Sequence, residues 1–306
     1  MSVPSFSLSV KEEILSILDE EKVHRDIGLA VALAASASFT GRTIQVKSKH
    51  LHFLEYVQAM AQKYFHVEGE IIEKKNFSTW ELHDSQDVLH LKAVLDELLA
   101  YDSLRGVIHR ESSEFLEEEI TQILRTVFLA VGSMADPNKS YQIEFAMRRQ
   151  SVMEFLRKIL QTLEIEGFLQ VGFQSYMLYI KNGDQVSNFL GRLGVDQSYL
   201  QFESIRVRKN MNEMVNRTIN FDNANIERIA NTSARQINII AKLAEHQALE
   251  QMPEELHEIA MLRVENPGFS LRELGSLLDP PLGKSGVYHR LGKLEQWAQE
   301  YMEEKE

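Results

Sequence analysis

The chain has 306 residues, of which 44% are hydrophobic and 25% charged, a composition that excludes disorder and allows the cores of two or three domains. Its formal net charge of −12 argues against indiscriminate nucleic-acid binding, because an acidic protein repels phosphate at long range. It has no cysteine, which excludes disulfides and thiolate metal sites and agrees with a reducing compartment.

The amino-terminal segment MSVPSFSLSVKEEIL contains acidic residues and lacks the apolar core of a cleavable secretory signal. The sequence also contains no apolar run of the length needed to cross a bilayer. We therefore expect a cytoplasmic protein with no membrane partner.

Two segments in the first two hundred residues repeat one order of predicted elements. Residues 33–65 align with residues 129–163. Each copy has a largely apolar helix, a turn, an alternating strand, an amphipathic helix, a hairpin and a closing helix. The hairpins are EGEIIEKKNFSTWELH and EGFLQVGFQSYMLYIKN, and the closing helices are Val88 to Leu99 and Val186 to Leu193. We expect a pseudo-twofold pair of α+β units whose small-residue helices, around residues 30–37 and 127–132, pack closely together.

The two copies resemble degenerate halves of the LAGLIDADG homing-endonuclease fold, with Leu129-Ala130-Val131-Gly132 standing where that motif starts. The resemblance implies that the penultimate motif position is an acidic metal ligand for DNA cleavage. Counting from the leading leucine places Thr40 and Asp136 there. Because two-metal phosphodiester chemistry needs a pair of carboxylates, a single Asp136 predicts a unit that cannot cleave. Asp136 precedes Pro137-Asn138 and is more simply a turn residue.

Histidines offer little evidence for a metal site. His50 and His52 are two residues apart, which places them on different faces of a helix, whereas ligands on one helix prefer a spacing of three or four. The sequence has no P-loop, no dinucleotide-binding glycine pattern and no nucleophile elbow. We expect no catalytic residue, no metal and no cofactor.

Basic residues gather after the repeat. Such a segment could hold the phosphates of a DNA backbone, and a solvated linker with incidental charge explains the composition equally well. The basic residues assigned here to phosphate contact are Arg206, Arg208, Lys209 and Arg217, and Arg228 and Arg235 follow them.

The last forty residues predict two short helices joined by a proline-broken turn. Ser270 and Glu273 form a capping box before the apolar positions Leu271, Leu274, Leu277 and Leu278. The helix must end before Asp279-Pro280-Pro281. A second helix is predicted from Ser285, with Val287, Leu291, Leu294 and Ala298 facing inward.

This pattern predicts a helix-turn-helix, whose second helix enters the major groove of DNA. An ordinary packed αα-hairpin is the alternative, and the turn is longer than in the compact motif. Clustered polar and basic side chains favour DNA, since a structural hairpin does not need them there. The predicted DNA contacts in this region are Ser270, Lys284, Ser285, Tyr288, His289, Arg290 and Lys293.

The order of these parts, a degenerate endonuclease-like pair followed by a basic segment and a helix-turn-helix, resembles the WhiA family of bacterial regulators of sporulation and cell division. The segments that carry the resemblance are NRTINFDNANIERIANTSARQINIIAKL (216–243), LRVENPGFSLRELGSLLDPPLGKSGVYHRLGKL (262–294) and FLAVGSMADP (128–137). The chain departs from the family at Phe221, where cysteine is frequent, and at Gly292, where a basic residue is common.

The resemblance implies a non-catalytic, sequence-specific transcriptional regulator that binds double-stranded DNA in the nucleoid and acts in division and chromosome segregation. RNA polymerase or another transcription factor is a further candidate partner. Two alternatives remain: a protein-interaction scaffold with secondary DNA contact, and a nuclease with residual activity through Asp136.

The predicted fold is α+β: a two-copy LAGLIDADG-like α/β repeat followed by an all-α helix-turn-helix domain. Its predicted parts are a first half at 1–105, a second half at 106–205, a basic linker at 206–221 and a helical domain at 222–306, with the helix-turn-helix at 270–302.

Overall fold

The computed structural model describes residues 4–20, 24–40, 42–172 and 175–303. The chain forms two compact units, Met1–Lys209 and Asn210–Glu306. Unit 1 is mixed α and β, and unit 2 is helical in the residues that are described. This matches the predicted α+β repeat followed by an all-α domain.

Unit 1 contains two copies of one arrangement. The first sheet has the strand order β1-β2-β4-β3 and the second the order β7-β8-β10-β9, and every neighbouring pair is antiparallel. The elements of the first copy are α2 (Arg25–Ser36), β1 (Ser38–Phe39), β2 (Ile44–Ser48), α3 (Leu51–Phe65), β3 (Glu70–Glu73), β4 (Ser78–Leu82) and α4 (Ser85–Leu99). Those of the second are α5 (Glu117–Val131), β7 (Gly132–Met134), β8 (Gln142–Met147), α6 (Gln150–Thr162), β9 (Phe168–Val171), β10 (Tyr176–Lys181) and α7 (Gly183–Leu193). The predicted repeat is confirmed.

Elements outside the repeat were not predicted. Helix α1 (Phe6–Glu20) precedes the first copy, and a two-stranded ribbon of β5 (Tyr101–Asp102) and β6 (Val107–Ile108) lies between the copies. A single turn of 3-10 helix, Ser112–Glu114, follows the ribbon.

Helices α2 and α5 pack against each other at the centre of unit 1. Gly28 allows their close approach, because a Cβ atom there would lie 2.9 Å from the carbonyl oxygen of Gln122. The Thr126 hydroxyl donates a hydrogen bond of 2.7 Å to the carbonyl oxygen of Gly28. The predicted packing of two small-residue helices is confirmed.

Each sheet turns one face toward a shared core. Ile44 and Val46 on β2 are fully buried, and Ile143 and Phe145 on β8 are their counterparts. The alternation of side chains along a strand places these positions on one face. The cores of the two copies merge into a single cluster.

Unit 2 is built from helices. Its elements are the greater part of α8 (Asp196–Glu245), then α9 (Glu254–Glu265), α10 (Leu271–Ser276) and α11 (Lys284–Glu303), with a 3-10 turn at Leu249–Gln251. Ile240 and Leu243 near the end of α8 join the core formed by α9, α10 and α11.

The segment 206–221, predicted as a basic linker, lies inside the single helix α8. No glycine or proline interrupts this helix, which agrees with the cost of both residues inside helices. Among the described residues, none of the helices combines the length and apolarity needed to span a bilayer.

Candidate nucleic-acid interface

The capping box at Ser270 begins helix α10. The Ser270 hydroxyl oxygen accepts a hydrogen bond of 3.3 Å from the backbone N–H of Glu273, and a Glu273 carboxylate oxygen accepts one of 2.7 Å from the backbone N–H of Ser270. The hydrogen bond that the carboxylate accepts from the backbone N–H of Ser270 lowers the pKa of Glu273. Ser270, predicted as a DNA contact, therefore acts as a helix cap in the structure.

The turn between α10 and α11 is held tightly against α10. The backbone N–H of Leu282 donates a hydrogen bond of 2.9 Å to the carbonyl oxygen of Gly275. A Cβ atom at Gly275 would lie 2.0 Å from the carbonyl oxygen of Leu282, so only glycine fits there. The peptide bond between Asp279 and Pro280 is cis.

Helix α11 has a buried face and an exposed face. The four residues predicted to face inward, Val287, Leu291, Leu294 and Ala298, are all buried. Ser285, His289 and Lys293 recur every four residues on the opposite face and are exposed. Tyr288 is 72% exposed, and Lys284 at the start of the helix is also exposed.

These exposed side chains are free to meet a ligand. Within the described parts of the chain, neither Lys284 nor Lys293 forms an ion pair with a carboxylate. Their charges are therefore not neutralised locally. A helix amino terminus that carries lysine, serine, tyrosine and histidine suits the phosphates and base edges of a duplex.

Arg290 differs from its neighbours on α11, because it has carboxylate partners within the chain. Its side chain is only 17% exposed and lies 3.2 Å from a carboxylate oxygen of Glu258 and 4.0 Å from one of Glu255. Both glutamates belong to α9. Arg290 lies on the flank of α11 that faces α9, so it connects the two helices, and its predicted contact with DNA stays a prediction.

Basic residues at the start of α8 are also engaged within unit 1. Arg206 pairs with Asp184 and, at 2.8 Å, with Glu203. Lys209 donates to the carbonyl oxygen of Asn138 at 3.4 Å and lies 4.6 Å from the centre of the Tyr141 ring. Both side chains therefore anchor the start of α8 to the second copy, and the phosphate contacts predicted for Arg206 and Lys209 stay predictions.

Two further cations of this segment are exposed and make weaker contacts within the chain. Arg208 is exposed and donates a hydrogen bond of 3.0 Å to the side-chain oxygen of Asn138. Arg217 is 79% exposed and lies 3.4 Å from Glu213, four residues earlier in the helix. Such an exposed pair contributes little free energy and exchanges readily.

A basic cavity lies beside α10 and α11 and is not among the features predicted from the sequence. Arg228, Arg263 and Arg272 line it together with Ser270 and Lys284. Arg272 could have been predicted as part of this basic site, because it follows the capping serine by two residues; in the structure it is exposed. The sequence did not indicate that Arg263 would be buried at a site, since a basic residue inside an amphipathic helix is usually solvated.

The paired helices of unit 1 end without a carboxylate. Helix α2 ends at Ser36 and α5 at Val131, and the cap residues Ala37 and Gly132 have the same extended conformation. Both ends line one cavity of about 530 Å³, whose charged lining residues are Lys47, Arg148 and Arg149.

Thr40 and Asp136, which the sequence places at the motif's acidic position, do not lie at these helix ends. Both residues lie beyond the helices, in turns. A carboxylate oxygen of Asp136 accepts hydrogen bonds from the backbone and side chain of Asn138, at 2.9 and 3.0 Å, and the backbone bond lowers the pKa of Asp136. Its predicted role as a turn residue is confirmed.

Comparisons with known proteins agree with this architecture. The family model for the WhiA C-terminal HTH domain matches residues 215–298. The model for the WhiA LAGLIDADG-like domain matches residues 33–111 and 120–212. The two matched blocks of the second model correspond to the two copies in unit 1.

Relatives match over nearly the whole chain. A probable cell division protein WhiA from Clostridium perfringens (strain SM101 / Type A) is 31% identical over 310 residues, which cover 97% of this chain and 98% of that protein. One from Clostridium acetobutylicum is 31% identical over 319 residues, which cover 98% and 99%. The crystal structure of full-length DUF199/WhiA from Thermatoga maritima has a TM-score of 0.56 and 26% identity, and it covers 97% of this chain and 99% of that chain.

Proposed function

The chain belongs to the WhiA family, and from that premise we propose that it is a sequence-specific DNA-binding regulator of transcription. Its DNA contacts would come from Lys284, Ser285, Tyr288, His289 and Lys293. The observation that carries the proposal is the exposed face of α11, where these side chains have no carboxylate partner among the described residues. The names of its relatives support a role in cell division, to which we add chromosome segregation and a place in the nucleoid.

The net charge supports a local and oriented mode of binding. At −12, the chain as a whole repels a polyanion. A duplex would therefore approach through the few unpaired cations, and the contacts of α11 would decide both affinity and orientation. Tyr288 and His289 have the hydrogen-bonding groups needed to read base edges, while Lys284 and Lys293 suit phosphates.

We also propose that the protein has no nuclease activity. Phosphodiester cleavage by two metal ions needs carboxylates that bring the ions close together. The described residues that line the cavity at the ends of α2 and α5 include no aspartate or glutamate, and three of them are basic. Asp136 is hydrogen-bonded within its own turn.

A protein partner is a second element of the proposal, namely RNA polymerase or another transcription factor. The support is a set of exposed apolar side chains on α8 within unit 2. Met211, Met214 and Phe221 are 62%, 68% and 69% exposed and recur at intervals of three and seven residues, on one helical face. Exposed apolar patches of this kind mark protein-binding surfaces.

Selection of genomic fragments by the purified full chain, followed by sequencing of the bound fraction, tests the DNA proposal. The wild type should enrich one motif, and His289→Ala should weaken binding to that motif by about 1 to 3 kcal/mol if His289 reads a base. Lys293→Ala should weaken binding about equally on all sequences and reduce the salt slope. Gln299→Ala, an exposed change later in α11, is the matched control. Failure of the wild type to bind any duplex would reject the function.

A further inference from the structure

Four basic side chains converge on one cavity in unit 2. The cavity has a volume of about 410 Å³ and is lined by residues of α8, α9, α10 and the start of α11. The polar lining residues that matter here are Asn225, Arg228, Thr232, Arg263, Arg272 and Lys284. None of the described residues that line it is acidic. Like charges brought together in this way repel one another, and an anion among them would relieve that repulsion.

Arg263 is the innermost of the four cations. Its side chain belongs to a residue that is only 2% exposed. One guanidinium nitrogen donates a hydrogen bond of 2.8 Å to the carbonyl oxygen of Phe269, and the buried Nε has no hydrogen-bond partner among the described residues. Burial lowers the pKa of Arg263. A buried guanidinium charge is costly, and the opposite charge of an anion in the cavity would offset part of that cost.

The other three cations line the mouth of the cavity. Arg228, Arg272 and Lys284 are exposed, and none of them forms an ion pair within the described parts of the chain. Arg228 donates from Nε to the carbonyl oxygen of Ala224 in its own helix, at 3.2 Å. Its remaining guanidinium donors are left for a ligand. Guanidinium groups match the oxygens of a phosphate with paired hydrogen bonds.

We propose that this cavity binds a phosphate group, and that the group belongs to the backbone of the duplex contacted by α11. The inference rests on the proposed function, because Lys284 both lines the cavity and begins α11. A phosphate held at this point fixes the position of α11 along the groove. Arg228, Arg263 and Arg272 thereby become positioning residues for sequence recognition by α11.

A double-mutant cycle on the full chain tests the duplex as the source. One partner is Arg272→Gln, and the other is a series of duplexes in which single phosphates are replaced by neutral methylphosphonates. Arg272→Gln should weaken binding about tenfold, as expected for one charge-assisted hydrogen bond, and reduce the salt slope by about one. At one position, the methylphosphonate should weaken the wild type but not the variant. Lys242→Gln, an exposed cation of α8 outside the cavity, should leave the cycle additive at every position.

A second arm tests a free phosphate as the source. Inorganic phosphate is added at constant ionic strength, and the melting temperature of the full chain is compared with that in chloride. If the cycle is additive throughout but phosphate stabilises the wild type more than Arg272→Gln, the cavity binds a free phosphate ligand. If neither arm distinguishes Arg272→Gln from Lys242→Gln, the phosphate site is rejected while DNA binding stands. A wild type that binds no duplex rejects the proposed function, and the second arm then decides the site alone.

Discussion

Replacing Arg290 by alanine should destabilise unit 2 and should not impair base reading directly. Arg290 is 17% exposed and Glu258, 3.2 Å away, is 40% exposed. At that distance the gross attraction is about 5 kcal/mol with an effective dielectric constant of 20. Desolvation and the loss of side-chain freedom offset most of it. Fully exposed pairs contribute about 0.2 to 1 kcal/mol, so this half-buried pair should contribute about 1 to 2 kcal/mol.

The assay is calorimetric unfolding of the full chain, combined with DNA titration below the melting temperature. A loss of about 1 kcal/mol corresponds to a fall of about 4 to 8 °C for a unit of this size. Glu258→Gln should lower the melting temperature by a similar amount, and the double variant should show a coupling energy of about 1 kcal/mol. At a temperature where unit 2 is folded, both single variants should bind DNA within about twofold of the wild type.

The opposite pattern would refute this reasoning. If Arg290→Ala lost most of its specific affinity without a change in melting temperature, Arg290 would be a DNA contact despite its carboxylate neighbours. Glu258→Gln separates the two roles, because it removes the internal partner and keeps the cation. Tighter DNA binding by Glu258→Gln would show that Glu258 holds Arg290 back from the duplex.

Three further predictions follow from the described contacts. Gly275→Ala should destabilise unit 2 by about 1 to 3 kcal/mol in the same melting experiment, because its Cβ would lie 2.0 Å from a backbone oxygen. Gly286→Ala, whose Cβ would have its nearest neighbour at 3.4 Å, should be neutral or stabilising. Burial lowers the pKa of Lys11 from 10.5 to about 8. Between pH 8 and 10.5 the folded chain therefore binds fewer protons than the unfolded chain, so the free energy of unfolding should rise with pH. Lys11→Met should abolish this rise in denaturant titrations. The wild type and Asp136→Ala should both leave plasmid DNA intact in magnesium; nicking by the wild type that this change abolishes would establish a nuclease.

The repeat in unit 1 was predictable because it depends on short-range patterns present twice. The alternation of Ile44 with Val46 and of Ile143 with Phe145 identified one strand in each copy, and each strand was followed by an amphipathic helix. Their small residues also identified α2 and α5 as a close pair. The short strands β1 and β7 were not predicted, since each has only two or three residues and takes its pairing from a neighbour.

The ends of α2 and α5 show where local counting fails. The seventh residue after the leading leucine is Thr40 in one copy and Asp136 in the other, but the helices end at Ser36 and Val131, before both positions. The backbone of Gly132 is extended and already belongs to β7. The position of a motif relative to a helix end depends on where the sheet begins, which a single sequence does not specify.

The continuity of α8 was within reach of the sequence. From Asp196 to Glu245 the chain contains neither glycine nor proline, and these are the residues that most strongly interrupt helices. The basic composition of 206–221 indicates its charge, and the prediction of a linker depended on that charge alone. A basic composition describes the surface of a segment and does not determine its backbone conformation.

The ion pairs of the basic residues were less predictable from the sequence than the fold, because a sequence shows which side chains are charged and not which of them pair. Arg206 and Arg290 have the same side chain as Arg272, yet the first two contact carboxylates and the third has no ion-pair partner among the described residues. The partner of Arg290 is more than thirty residues away in sequence, so helix packing alone brings them together.

In a protein of net charge −12, pairing determines which cations can bind a polyanion. A cation already paired with a carboxylate must exchange one anion for another, and the displaced carboxylate then repels the phosphate. An unpaired cation gains the whole interaction and releases the counterions of the DNA. Near α10 and α11, the described cations that satisfy this condition are Arg228, Arg272, Lys284 and Lys293. A small number of unpaired cations predicts that the DNA-binding constant depends weakly on salt, with a slope of log K against log salt concentration near that number. A much steeper measured slope would require phosphate contacts from outside this region.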